Sequence, residues 1–155
     1  MPTVRLEISA TPSHVRTARL VATAAARRCG VDPGVLDEIR LAVGEACTRA
    51  VGLHRQYCQY DSVVLLLSDD IDFTVTVRDA APVGFEPGPL DVIELLEQSS
   101  EQPEESFDTL PDAFGLTVIA GLVEDLKITP RDDGPGTQVV MSWPVRFRNP
   151  PAKPA

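Results

Sequence analysis

Glu45 and Arg49 stand four residues apart in Leu41-Ala42-Val43-Gly44-Glu45-Ala46-Cys47-Thr48-Arg49-Ala50-Val51, a run of small and apolar residues that reads as an amphipathic helix. At that spacing a carboxylate and a guanidinium share a helix face and can pair. Pairing would keep Glu45 ionised while engaging its lone pairs; a surface ion pair of little energetic value is the plainer alternative. Arginine has five donors and no acceptor, so position 49 can meet an anion but cannot ligate a cation. Asp79 ends an alternating segment, where an aspartate commonly serves as a turn or cap residue. Gly134-Pro135-Gly136-Thr137 carries the glycines of a hairpin turn. Arg16 and Arg19 lie three residues apart on a first helix, as exposed arginines often do. His14 and His54 form no recognisable metal or catalytic set and read as polar surface or helix-end residues. Cys29, Cys47 and Cys58 are an odd count without CxxC spacing, which indicates neither a disulfide framework nor a zinc site.

The elements that must position these groups are legible in outline. Val4, Leu6 and Ile8 alternate with polar residues as in a half-buried strand. Thr11-Pro12 opens a helix, threonine as cap and proline at the first helical position, with Val15, Ala18, Leu20, Val21, Ala25 and Ala26 on its apolar face and Gly30 ending it. Asp32-Pro33 repeats the start signal for a second helix with Val35, Ile39, Ala42, Val43, Ala46, Cys47 and Ala50 inward. Ser62 to Ser68 reads as an apolar strand, Asp69-Asp70 as a turn, and Ile71, Phe73, Val75 and Val77 as the alternating return strand. The Ala-, Pro- and Gly-rich stretch 79–89 reads as irregular, 91–97 as a short helix, and 98–112 as a mobile acidic loop. A buried helix over Phe114 to Leu122, a strand beginning at Leu126, and a last strand from Thr137 to Trp143 complete the order. The expected fold class is α+β, a two-layer sandwich of a mixed, mostly antiparallel sheet with helices on one face. Residues 1–145 are expected to form a single domain, and the Pro-rich 146–155 a disordered tail.

Composition sets the class. With 155 residues, 43% hydrophobic and 24% charged, the chain has the make-up of a soluble globular domain. The longest apolar run, Val63 to Leu67, is strand-sized, and the N-terminus lacks the layout of a secretion signal, so a cytoplasmic, membrane-free protein is expected. A net charge of −9 argues against direct nucleic-acid binding. The charge is uneven: residues 1–55 hold eight Arg and five acidic residues, whereas 69–125 hold fifteen acidic residues and one basic residue, Arg78. Such polarity can steer a charged partner, although a solvated acidic loop explains it as well.

This order of elements, with Leu41-Ala42-Val43-Gly44-Glu45-Ala46-Cys47-Thr48-Arg49-Ala50 on the second helix, resembles the GHKL ATPase superfamily. It is most similar to the branch of bacterial anti-sigma factors that double as serine kinases, the RsbW and SpoIIAB type. That branch reads L-A-V-x-E-A-x-T-N-A here. The resemblance implies that Glu45 is the general base of phosphoryl transfer, and that Arg49 replaces the asparagine whose amide oxygen holds Mg²⁺. It implies ATP or ADP as cofactor, with Asp79 accepting from the adenine amino group and glycines beyond it admitting the backbone to the nucleotide. Here Ala81 and Val83 stand at the glycine positions, with Gly84 one step away. Asp112-Ala113-Phe114-Gly115-Leu116 resembles the lid motif G-x-G-L/F, which brings a helix N-terminus to phosphate; Gly115 and Leu116 match and Ala113 does not. Gly134-Pro135-Gly136-Thr137 matches the closing G-x-T, with Thr137 facing the pocket. Arg19, with Arg16 nearby, aligns with an arginine that contacts both the sigma factor and the STAS-type anti-anti-sigma factor, and the family implies a homodimer.

Three readings follow. In the first, the protein is an anti-sigma factor that holds a sigma factor and is released by an anti-anti-sigma partner, its Mg²⁺-ATP chemistry weakened or lost through Arg49, Ala81, Val83 and Ala113. In the second it is a working serine kinase with Glu45 as base. In the third it senses a nucleotide or other small ligand through Arg49 as anion contact.

Overall fold

The computed structural model describes residues 3–57, 59–82, 119–123 and 125–145. Strands β1 (Val4–Ile8), β2 (Val63–Ser68), β3 (Phe73–Arg78), β4 (Asp125–Pro130) and β5 (Thr137–Trp143) form one sheet in the order β1-β2-β3-β5-β4. All four pairings are antiparallel. Helices α1 (Pro12–Cys29) and α2 (Leu36–Gln56) pack on each other and on this sheet, giving the two-layer α+β sandwich.

Alternation decides which face they cover. Val63, Leu65 and Leu67 on β2, Phe73, Val75 and Val77 on β3, and Val139, Met141 and Trp143 on β5 are buried, whereas their neighbours Leu66, Thr74, Thr76 and Val140 are half-buried. The register sets these inward residues opposite one another, as in Phe73↔Trp143 and Val77↔Val139. Ala18, Ala22 and Ala26 of α1 and Ile39, Ala42, Val43, Ala46 and Ala50 of α2 complete the core. Alanine and glycine at these positions let the two helices approach closely, and each larger inward side chain contributes about 1.5–3 kcal/mol by leaving water. Trp143 stands 6.3 Å from Phe73 between ring centroids and donates its indole N–H to Glu38 Oε1 at 3.3 Å.

The helix ends follow the stop and start signals with two differences. Gly30, in the left-handed region at φ 86°, ends α1 by donating its N–H to the carbonyls of Ala26 and Arg27. Thr11 precedes Pro12 in extended conformation, but its hydroxyl caps nothing. Asp32 Oδ1 accepts from Gly34 N–H at 2.9 Å and starts a 3₁₀ turn, Pro33–Val35, from which α2 continues. Leu20, expected inward, is 59% exposed, because the helix turns that position past the α2 contact. Ile71, expected on the return strand, lies in the turn and is 81% exposed, since pairing with β2 begins only at Thr74 opposite Ser68. Residues 119–122 are helical with Ile119 fully buried, the end of the helix expected over 114–122. The expected short helix at 91–97, the acidic loop and the Pro-rich tail lie outside the described residues.

Candidate functional site

The C-terminal half of α2 faces the end of β3, and Arg49 is the side chain that crosses between them. Arg49 and Asp79 are both buried, their side chains 3% and 2% exposed, with Nη1 donating to Asp79 Oδ2 at 3.5 Å. Asp79 Oδ1 accepts from the backbone N–H groups of Ala81 (3.0 Å) and Thr137 (3.3 Å). The spacing of Glu45 and Arg49 allowed a pair along the helix; instead Arg49 reaches the end of β3, and no hydrogen bond or ion pair joins it to half-buried Glu45 among the described residues. A carboxylate buried with two backbone donors is already partly neutralised in energetic terms, and the guanidinium completes its surroundings.

The backbone of Asp79 is held as firmly as its side chain. Its N–H donates to Thr137 O at 3.0 Å and its carbonyl accepts from Arg131 Nη1 at 3.1 Å. Arg131 is itself oriented by Asp133, Nε to Oδ1 at 3.0 Å and Nη2 to Oδ2 at 3.1 Å. That fork raises the Arg131 pKa and lowers that of Asp133, a hydrogen bond to the partner leading in both cases. Gly136 makes this approach possible: at φ 119°, an added Cβ would stand 2.0 Å from the Asp79 carbonyl oxygen. Thr137, the first residue of β5, is 1% exposed.

His54 lies in the last turn of α2, one of the two places expected for it, but it is fully buried rather than on the surface. Its Nε2 lies 2.8 Å from the Ala80 nitrogen and its Nδ1 2.9 Å from the Asp61 carbonyl oxygen. A backbone N–H can only donate, so Nε2 accepts, and the ring hydrogen sits on Nδ1 and donates to Asp61: a neutral imidazole bridging two loops. Gln59 Nε2 donates to Ala80 O at 2.8 Å. The strap 79–81 is thus tied to α2, to the segment after it and to the β4–β5 turn. His54 and Arg131 were missed as parts of the site by sequence reasoning, whereas Gly136 was read as part of the closing turn without its approach to Asp79. His54 falls at helical spacing from Cys47, Ala50 and Val51, which was a readable sign of burial. The Arg131 contact spans 52 residues and left none.

The arginines of α1 differ. Arg16 is exposed. Arg19 is half-buried and lays its guanidinium across α2 at Gly44, where an added Cβ would fall 2.2 Å from Nε. That Nε is buried and has no hydrogen-bond partner. Cys47, beside it, is fully buried, and burial pushes its thiol up to about 12 against a smaller opposing effect of Arg19. Burial, with Asp69 adding to it, raises Cys29 to about 11. Gly84, Gly115 and Leu116 lie outside the described residues, so the site is drawn from α2, β3, the 79–81 strap and the β4–β5 turn.

Among the described residues there is no group of three His, Cys, Asp or Glu that could hold a metal ion, and the side chain one turn beyond Glu45 is a guanidinium with no lone pair to offer. No helix among the described residues is long and apolar enough to cross a membrane.

Among the described residues, a five-stranded antiparallel sheet carries α1 and α2, and Arg49 of α2 meets Asp79 just beyond β3, an arrangement suited to an ATPase-type α+β domain. Residues 8–143 match the histidine kinase-like ATPase domain family, and the chain belongs to it. It is similar to the serine-protein kinase RsbW of Oceanobacillus iheyensis, 27% identical over 149 residues that cover 90% of this chain and 84% of that protein. Its fold also matches a solved structure of the RsbU and RsbW domains of a Mycobacterium tuberculosis protein, with a TM-score of 0.59 at 18% identity; the match covers 97% of this chain and 35% of that one.

Proposed function

We propose that this protein is an anti-sigma factor of the RsbW type that acts mainly by holding a sigma factor and is released by a STAS-type anti-anti-sigma partner, its nucleotide chemistry weakened or lost. The observation that carries this is the buried Arg49–Asp79 pair. It sets a cation where the family has a metal-binding amide, and it engages the carboxylate that the family uses to read adenine. The similarity to RsbW supports the partner-holding half, and exposed Arg16 beside half-buried Arg19 offers the contact surface on α1. In this reading the protein is a cytoplasmic homodimer, and antagonist abundance, or phosphorylation of the antagonist by another kinase, sets the release.

The test is a pull-down of the tagged protein from its native lysate with and without Mg²⁺-ATP, read by mass spectrometry. Recovery of a sigma factor or a small anti-anti-sigma protein, unchanged by ATP, is the expected result. Loss of both partners would contradict the reading and favour a ligand-sensing role.

One observation favours a second reading, a working serine kinase. Glu45 is only half-buried and is not engaged by Arg49, so its carboxylate remains available as a base. ATP-dependent phosphoserine on the small partner would establish that activity.

A further inference from the structure

We propose that Arg49 is a built-in latch on Asp79: it holds the base-recognition carboxylate closed against purine nucleotides, while the rest of the chain keeps that carboxylate in receptor geometry. This rests on the reading of the Asp79 end of the pocket as nucleotide-facing. Asp79 Oδ1 already accepts from Ala81 and Thr137 N–H, so Oδ2 is the oxygen left for a ligand, and it faces Arg49 Nη1 at 3.5 Å. The Asp79 side chain is 2% exposed and Arg49 Nη1 stands against Oδ2, so a base amine reaching that oxygen competes with the guanidinium. Its withdrawal replaces a cation by a neutral donor at a buried carboxylate, which is unfavourable.

The position of Asp79 does not depend on Arg49. The strap is fixed by the His54–Ala80, Gln59–Ala80 and Arg131–Asp79 hydrogen bonds and by the close approach of Gly136. The 3.5 Å separation is also longer than the roughly 2.7–2.9 Å of a strong charge-assisted bond, so the pair is not what sets the geometry. Removing the guanidinium should therefore uncover a preorganised acceptor rather than collapse it.

The test is calorimetric binding of ADP in the presence of EDTA, so that no metal enters, to the wild-type chain, Arg49→Met, and Arg49→Met combined with Asp79→Asn. Circular dichroism and thermal melting establish that each variant is folded. The expected result is ADP binding at least about tenfold tighter in Arg49→Met than in the wild type, a preference for ADP over inosine diphosphate, and loss of the gain in the double variant. A purely structural role for Arg49 would not produce that base preference. Should Arg49→Met fail to fold, Arg49→Gln, neutral and of similar reach, carries the same test. A folded Arg49 variant that binds ADP no tighter than the wild type overturns the latch, as does a gain that persists when Asp79 is replaced. Partner capture by the wild-type chain is decided separately by the pull-down, so the latch and the partner-holding reading can fail independently.

Discussion

His54 joins the end of α2 to the strap that carries Asp79, through an accepted bond from Ala80 N–H and a donated one to Asp61 O, in a fully buried position. Replacing it by alanine leaves the buried Ala80 N–H and the Asp61 carbonyl without this partner, as well as a cavity. His54→Ala should cost about 3 kcal/mol, read from denaturant unfolding; a loss below about 1 kcal/mol would mean that water replaces the ring at little cost. The buried thiols make a pH-dependent prediction. Cys29 and Cys47 have folded pKa values of about 11 and about 12, raised above the ordinary 9.0, so their contribution to stability is complete below about pH 9 and is lost as pH rises through the folded values. Melting temperature should therefore fall steadily from about pH 9 upward, and Cys47→Ala should flatten that slope; an unchanged slope would contradict the assignment. Sequence spacing allowed Arg49 to pair with Glu45 but could not show that it meets Asp79. Periodicity reports neighbours four residues away, whereas the carboxylate it meets is 30 residues on and is brought there only by sheet pairing. The substitution of asparagine by arginine was legible; the fact that it closes on Asp79 was not.

At the scale of elements, strands and helices were readable because burial imposes a period on each, and the two-layer arrangement follows from one apolar face per element. Misplaced single residues lie where no period operates. Ile71 belongs to a turn, and Leu20 sits at the edge of the α1 stripe. The β4–β5 turn shows the same limit: its glycines signalled a turn, but their separate roles emerge only from the packing. Gly136 faces the Asp79 carbonyl, while Gly134, at φ 155°, has nothing within 4 Å. Gly136→Ala should thus cost about 3 kcal/mol or more and displace Asp79, whereas Gly134→Ala should cost about 1 kcal/mol, both read from thermal melts. Equal losses would mean that backbone strain, not the close approach, dominates. Gly44 makes a subtler prediction. The nearest atoms to an added methyl there belong to the far end of the Arg19 side chain, and alanine favours the helix. Gly44→Ala should leave stability within about 1 kcal/mol of wild type while moving the Arg19 head and weakening partner capture. Undiminished capture would remove Arg19 from the contact surface.

For the molecule as a whole, the fold is that of an ATPase domain, yet its described site is closed on itself. Asp79 is satisfied by Ala81, Thr137 and Arg49, and its backbone by Arg131 and Thr137. In the proposed anti-sigma reading, partner affinity is set by surface complementarity rather than by nucleotide. The charge is divided along the chain, arginine-rich over residues 1–55 and acidic over 69–125, a division that can steer a charged partner. The family was legible in the sequence because an acidic helix and a strand-ending aspartate kept their spacing. Whether the chemistry survived was not legible, because it turns on where one guanidinium points. The most direct test is the calorimetric affinity of the purified protein for the sigma factor that it captures, measured with and without Mg²⁺-ATP. Dissociation constants equal within about twofold are expected, with no phosphate transferred to the antagonist present in the same sample. A change of about tenfold or more with ATP, or phosphoserine on that antagonist, would contradict the proposed anti-sigma reading.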